Sequence, residues 1–565
     1  MRAPSRLLLF AALTTLACSA PAPAPAGAAP PTTSPPPPSP VTVTVVADAP
    51  GRSAADVERD VAVPLEQALS GVAGLTGLRS ESHSDGATLV LTLAPGPVAA
   101  ARSAVLEGLV AARRALPSDV APALAPDLAP AAAVRFVLGG ALPATELHAL
   151  AQRLRDDLAR IPGVGAIELC GGRAPQLQIA LDPGRVAAYG LTLAAIVASV
   201  GAGLEGDARP APGLQARLAA RSLADLEALV IKPGEPPVTL TDVATLRVGA
   251  GPPACDAAEV GAGAVVLGTV LPRREVDASF QDAVQGRLTA AQSELPVGVA
   301  LRVPSWTRVT LELQGEVATV PVAARELALA LKGARRAYLQ ADTGVPPGGL
   351  VTADLLLEPG EPADGPALVA ALAALPGVKL RASAGDELAR VTVLGDELAT
   401  ATRVADELAS LARKLPGTLD VAVRRFMAPE VAIEVQRERL ARFGVADAEL
   451  RAVLVAAVAG VTVGALSLDG ASLPVRLQLG DMPAGRGARV ELLGALQVQT
   501  ASGPVPLSEL VTLRLEEQPY ALLRLDRRRA VEVELRLADA AARAAVQAAV
   551  NAELRLPPGY LVRFE

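Results

Sequence analysis

Residues 161–192 read IPGVGAIELCGGRAPQLQIALDPGRVAAYGLT, and residues 415–446 read LPGTLDVAVRRFMAPEVAIEVQRERLARFGVA. At one constant offset and without a gap, Pro162 falls on Pro416, Gly163 on Gly417, Pro175 on Pro429, Ile179 on Ile433, Arg185 on Arg439 and Tyr189-Gly190 on Phe443-Gly444. The match continues outward: PPVTLTDVATLRVG at 236–249 recurs as GPVPLSELVTLRLE at 503–516, and ELPVGVALRV at 294–303 recurs as RLPPGYLVRFE at 555–565. Two related halves therefore make up the chain. The period is far too long for a solenoid repeat, so the duplicated object is a multi-subdomain unit.

A chain of 565 residues can bury several cores. Its net charge of −7, with Lys and Arg scattered singly among acids, supplies no basic face for nucleic acid. Aromatic residues are only 2% of the total, so the cores must be aliphatic, and a stacking platform for bases, sugars or flat drugs would have very little to use.

The N-terminus carries Arg2 and Arg6, an apolar run at 7–16 too short to span a bilayer, and the small residues Ala17-Cys18. This is an export signal. Thr15-Leu16-Ala17-Cys18 resembles a bacterial lipobox, which implies a diacylglyceryl thioether on Cys18; plain secretion and a retained anchor are the alternatives. Residues 19–40 are a Pro-rich linker. As polyproline II they hold the folded part up to roughly 60 Å from the anchor.

From residue 41 the chain alternates strand and helix signals. Residues 41–46 alternate as a strand, and Ser53 with Asp56 three residues on forms a capping box ahead of a helix with Val57, Val61, Leu65 and Leu69 on one stripe. Pro64 should kink that helix, because it has no N–H to donate and its ring crowds the preceding turn. A hairpin at 78–93 and a helix at 98–115 complete a first unit.

The next unit opens at 134–138, continues through a helix bearing Leu147, Leu150, Ala151, Leu154, Leu158 and Ile161, and has strands at 164–169 and 176–181. An insertion intervenes before strand 264–271, helix 275–292 and strand 299–303 close it. The order βαβ, insertion, βαβ is the split ferredoxin-like pattern, and the second half repeats it. At its end Val531, Val533, Leu535 and Leu537 alternate with Glu532, Glu534 and Arg536, which predicts an open sheet with one buried and one wet face. The uncharged run 452–468 falls short of a membrane span and reads as a buried helix followed by a strand, so no transmembrane helix is expected beyond the signal.

Taken together, APGRSAADVERDVAVPLEQALSGVAGL at 49–75, IPGVGAIELCGG with DPGRVAAYGL at 182–191, the VTLTDVATLRVG strand pair and LPPGY at 556–560 resemble the periplasmic part of resistance-nodulation-division (RND) efflux pumps, and most of all their metal- and cation-exporting branch. The resemblance covers nearly all of 41–565. It implies an α/β (α+β) fold of four ferredoxin-like porter subdomains at 41–130, 131–181 with 262–305, 306–387, and 388–435 with 522–565. Docking subdomains would be inserted at 182–261 and 436–521, which in the family assemble into a trimeric funnel that meets an outer-membrane channel. Family members also carry membrane helices before, between and after the halves, and couple protons through ionisable residues there. Lacking those helices, this chain would not by itself drive transport.

Candidate sites are few. Metal-exporting relatives bind soft cations through methionines, but here only Met1, Met427 and Met482 occur, and Met427 reads as packing or surface. Drug-exporting relatives use a Phe-rich pocket, whereas Phe136, Phe280, Phe426, Phe443 and Phe564 fall mostly at core positions. Cys170 and Cys255 flank the first insertion. They can form a disulfide in an oxidising compartment if their Cα atoms lie within about 7 Å, and otherwise are two free or buried thiols; without a nearby His they make a poor metal site.

Gly201-Ala202-Gly203-Leu204-Glu205-Gly206 matches a dinucleotide fingerprint but follows a helix rather than a strand, and reads as a docking-region loop. Ser82-His83-Ser84-Asp85 reads as a polar hairpin turn, because a triad needs its members brought in from separate elements. His148 is expected to face solvent. Catalytic, cofactor and metal residues are none, and no enzyme is expected. The sequence thus points to an RND-type periplasmic efflux component in the cell envelope, lipid-anchored to a membrane, with an RND permease, an adaptor, an outer-membrane channel or further copies in a homotrimer as partners. The alternative is a ligand-binding or scaffolding lipoprotein that keeps the porter fold without transport.

Overall fold

The computed structural model describes residues 40–129, 133–205, 220–251, 255–273, 279–314, 319–330, 336–342, 351–358, 372, 374–382, 387–446, 450, 454, 460–468, 471–479, 493–494, 496–500 and 503–565. Cys18, Met482 and the linker 19–39 lie outside these residues, as does most of the helical part expected within 452–468. The strand Val461–Leu468 at the end of that run is described.

Strand Val41–Asp48 buries Val41, Val43, Val45 and Ala47 and turns the alternate residues outward. Ser53 caps the following helix, its hydroxyl accepting from the Asp56 N–H at 3.2 Å. That helix runs through Ala54–Val57, a π-helical turn at Glu58–Ala62 and Val63–Leu69. The widened turn lies immediately before Pro64, where the Val63 N–H reaches back five residues to the Glu58 carbonyl. Val57, Val61, Leu65 and Leu69 are fully buried against Leu89, Leu91, Val105 and Leu109.

Two nine-stranded sheets carry most of the chain. In the first, the order is Leu561–Phe564, Glu387–Gly395, Arg528–Leu537, Ala521–Leu525, Leu75–His83, Gly86–Leu93, Val41–Asp48 and Pro122–Leu124, with Thr418–Val423 also paired to Arg528–Leu537. In the second, it is Val299–Arg302, Val134–Gly140, Gly263–Pro272, Cys255–Glu259, Ala337–Asp342, Val351–Leu357, Thr307–Leu313 and Val378–Ala382, with Val164–Gly171 paired to Gly263–Pro272. The two orders correspond strand for strand. Each sheet joins the end of one half to the beginning of the other: Ala521–Leu525 pairs with Leu75–His83, and Cys255–Glu259 with Ala337–Asp342.

Helices Leu398–Ala412 and Ala540–Glu553 cover the Val531, Val533, Leu535 and Leu537 face of the first sheet. The opposite face is not wet at Glu532, which is only 3% exposed. Arg79 from the neighbouring half and Arg390, at 3.7 Å, pair with its carboxylate, so a charged residue is buried by being matched rather than solvated.

The strand expected at 176–181 leaves the porter sheet. Gly171 and Gly172 adopt φ of +92° and +67° after Val164–Gly171, and a Cβ on Gly171 would lie 2.1 Å from the Val265 carbonyl oxygen, so only glycine makes this elbow. Pro175–Leu181 then joins Ala244–Ala250 on one side and, in parallel, Ala471–Leu479 on the other, with Val461–Leu468 completing a four-stranded sheet built from both insertions. Met427–Val435 pairs with Val511–Pro519 in a separate two-stranded ribbon. Strand Cys255–Glu259, ahead of residue 261, lies within the second porter sheet. Cys170 and Cys255 are joined as a disulfide, Cα atoms 4.9 Å apart, across the base of the first insertion.

Candidate functional site

The chain passes from its first half to its second through residues 303–306, which connect strands Val299–Arg302 and Thr307–Leu313. A groove of about 370 Å³ opens beside this link. Its walls come from three elements: Ala133, Val134 and Arg135 at the entry of one strand, Gln281 and Gln285 on helix Ser279–Gln292, and Val303, Pro304, Ser305 and Trp306 on the link. Each polar group is placed by a buried neighbour. Val134 and Phe136 point into the core, so Arg135 between them points out; Phe280, Val284, Leu288 and Ala291 hold the helix to the sheet, which sets Gln281 and Gln285 one turn apart on its flank.

Trp306, the only tryptophan of the sequence, is half-buried and meets Tyr338 edge-on with ring centroids 6.1 Å apart. Tyr338 is itself fully buried, donates to Glu358 at 2.8 Å and accepts from Arg302 at 3.2 Å. Burial and then the Glu358 hydrogen bond push its pKa up to about 12, so the ring stays neutral. Arg135 makes no hydrogen bond or ion pair among the described residues. Loss of water, and then the neighbouring Arg308, push its pKa down, while Glu168, whose carboxyl is pushed up by burial, offers it only long-range attraction. No Asp, Glu, His, Cys or Met lines the groove among the described residues.

Two ionic seams hold the surrounding units. One joins the halves: Glu58 and Glu66, 3% and 1% exposed, receive Arg524, whose Nε lies 3.0 and 3.1 Å from the two oxygens of Glu66 and whose Nη1 lies 3.2 Å from Glu58. Arg529 holds Glu58 by three further contacts of 2.6 to 3.2 Å, and Ser80 donates to Glu66. Burial alone would raise Glu58, but Arg529 and then Arg524 outweigh it and hold the carboxyl below its ordinary range; for Glu66 burial wins over Ser80 and Arg524, and its pKa is raised. The other seam faces the two sheets together. Asp420 accepts from Arg381 at 2.9 Å and Lys379 at 3.1 Å, Arg381 also pairs with Glu312, and Arg424 bridges Glu534 at 2.9 Å and Thr352 at 3.3 Å.

Of the residues singled out in the sequence, Met427 starts strand Met427–Val435 of the two-stranded ribbon, and among the described residues no three His, Cys, Asp or Glu gather to hold a metal ion. Ser84 and Asp85 form the turn between strands Leu75–His83 and Gly86–Leu93, with Asp85 accepting from the Gly51 N–H at 2.7 Å. Gly201 to Glu205 are not loop but the last turn of helix Leu193–Glu205, where Gly203 gives room to Leu229; Gly206 lies outside the described residues. His148 does not face solvent fully. It is half-buried beside the Gly172 elbow, 3.3 Å from Gln152, and burial lowers its pKa. Sequence reading missed Arg135 and Trp306. The usable signal was the lone tryptophan in a short inter-strand link, where it could not belong to either strand's core.

Among the described residues no helix is long and apolar enough to cross a membrane. The model of the AcrB/AcrD/AcrF family matches residues 30–320 and 369–565. The chain is 30% identical over 277 residues to the cation efflux system protein CusA of Escherichia coli O157:H7 and 30% identical over 279 residues to that of Escherichia coli strain K12, in each case covering 45% of this chain and 26% of the relative. It thus spans about a quarter of the length of these curated relatives. Two crystal structures of a heavy metal efflux pump superpose with a TM-score of 0.76, over 93% of this chain and 79% or 80% of theirs, at 15% and 14% identity. That likeness establishes the fold, and the family match establishes descent: the chain belongs to the AcrB/AcrD/AcrF family of resistance-nodulation-division proteins.

Proposed function

We propose that the chain is a periplasmic component of an RND-type efflux assembly, holding a small molecule in the groove beside Trp306 and relying on a separate permease for proton coupling. Two porter sheets and a shared docking sheet support this reading. The observation that carries it is the outer face of helix Val98–Ala112, where Leu106 and Val110 are 52% and 71% exposed alongside the small residues Ala99, Ala100, Ser103 and Ala111, with Glu107 as the exposed charge among them. Such a face, thinly clad and largely apolar, suits close packing of the same helix from other copies of the chain about a threefold axis, with Glu107 at the rim of the contact. An acyl chain on Cys18 would hold that trimer at a membrane of the cell envelope, and the docking sheet would meet an adaptor or outer-membrane channel.

Native mass spectrometry of the full chain tests it. The wild type should fly as three copies and the L106E/V110E variant as one, with far-UV circular dichroism unchanged; a wild-type monomer at micromolar concentration would remove the support. The seam through Asp420, which ties 379–381 to 418–423, favours a second reading, a scaffolding or ligand-binding lipoprotein without transport. Recovery of a permease or channel with the chain from native membranes separates the two.

A further inference from the structure

The groove's chemistry does not suit a metal cation. A soft cation needs thiolate, thioether or imidazole, and a hard one needs carboxylates, yet the lining offers carboxamides from Gln281 and Gln285, a hydroxyl from Ser305, an indole and one guanidinium. Of the nearby acids, Asp354 pairs with Arg308 at 2.5 Å, and Glu168, in strand Val164–Gly171 rather than in the wall, attracts Arg135 without bonding to it. Arg135 is left as the charge at the mouth without a described partner, and a guanidinium in that state is satisfied best by a planar anion that takes two parallel N–H bonds.

We propose that this groove, read above as the ligand site, selects a small aromatic carboxylate, with Arg135 gripping the carboxylate and Trp306 contacting the ring. The carboxamides of Gln281 and Gln285, on successive turns of one helix, supply donors to oxygen atoms that Arg135 leaves unbound. A volume of about 370 Å³ accommodates one or two fused rings. This rests on the groove being a ligand site, and the test separates failure of that reading from failure of the charge assignment.

Because Trp306 is the only tryptophan, its fluorescence excited at 295 nm reports this groove alone. The full chain is titrated with 4-nitrobenzoate, 4-nitrobenzamide and 4-nitrobenzylammonium, which quench indole on contact and differ chiefly in charge. The carboxylate should bind at least about tenfold more tightly than the amide and the ammonium, as one charge-assisted bidentate contact is expected to give. Silver(I) at the same concentration should not displace it. Arg135→Gln, at an exposed position, should bring carboxylate and amide within about twofold of each other while leaving amide binding intact, and Arg135→Lys should restore part of the preference. Equal or tighter binding of the ammonium overturns the anion assignment and leaves the site standing. Quenching by all three that stays collisional and does not saturate overturns the site itself.

Discussion

Replacing Arg524 by leucine should destabilise the protein in a strongly pH-dependent way. Arg524 is 14% exposed at its side chain and shares its Nε–H between the two oxygens of Glu66, itself 1% exposed. Without it Glu66 keeps only the Ser80 hydroxyl, and breaking a buried pair from one side costs about 3–5 kcal/mol. The carboxyl has an escape, which is to take up a proton. From its ordinary value of 4.5, protonation costs about 1.36 kcal/mol per pH unit, so the penalty is capped near 4 kcal/mol at pH 7.5 and near 1.4 kcal/mol at pH 5.5.

The sign follows from the direction of the shift. A carboxyl whose folded pKa is raised contributes stability on the acid side that is lost as pH climbs through that folded pKa; Arg524→Leu raises Glu66 further and steepens the loss. Glu58, held below its ordinary range by Arg529 and Arg524, has the opposite dependence, with stability present above the ordinary carboxyl range and lost as pH falls through its folded pKa. Urea unfolding followed by circular dichroism at pH 5.5 and 7.5 reads the Glu66 dependence, and the same assay carried below pH 4.5 reads that of Glu58. The double variant Arg524→Leu/Glu66→Leu should recover most of the loss, because taking out both members of the pair leaves no buried carboxylate unmatched at that place. A cost below about 1 kcal/mol at pH 7.5, no pH dependence, or a double variant as unstable as the single would refute the argument.

Removing the Cys170–Cys255 bond by serine at both positions frees a loop of 85 residues, for which chain entropy sets a loss of up to about 4.6 kcal/mol, and dithiothreitol on the wild type should reproduce the same shift in urea midpoint. An identical midpoint with and without reductant would show the tie to be energetically idle. Gly268→Ala would put a Cβ 2.0 Å from the ring of Phe136, which is fully buried, and should cost about 1–3 kcal/mol or more in the same assay, with Phe136→Leu restoring part of it.

Much of this architecture was legible in local patterns. The Ser53–Asp56 cap, the stripes on the helices and the alternation of 531–537 each follow from a spacing rule that needs no partner. What a strand pairs with is written nowhere in its own residues. Strand 176–181 shows the same apolar alternation whether it stays in a porter sheet or leaves through the Gly171-Gly172 elbow. Glu532 reads as wet because a carboxylate in isolation is wet; Arg79 lies so far away in sequence that no window could hold both. Arg135, Gln281 and Trp306 escaped notice for the same reason, since three remote segments must meet before the groove exists.

The short link at 303–306 explains why they meet. In the second sheet, strands Val299–Arg302 and Thr307–Leu313 stand six places apart, which in a flat sheet is about 29 Å. Four residues between them bridge five Cα steps, at most about 18 Å fully extended. The sheet must therefore fold on itself, and its weakest crease is the hairpin where Cys255–Glu259 and Gly263–Pro272 share only the pairs Ala258–Ala264 and Glu259–Gly263. Folding there brings Arg302 on one edge strand to Tyr338 four strands away and carries Trp306 over the same ring. The first sheet has the same strand order and the same kind of crease at Ala521–Leu525, and its two corresponding strands, Leu561–Phe564 and Val41–Asp48, lie far apart in sequence. Two sheets of like strand order thus differ in this one connection, and it is the tight link that makes a groove of the second.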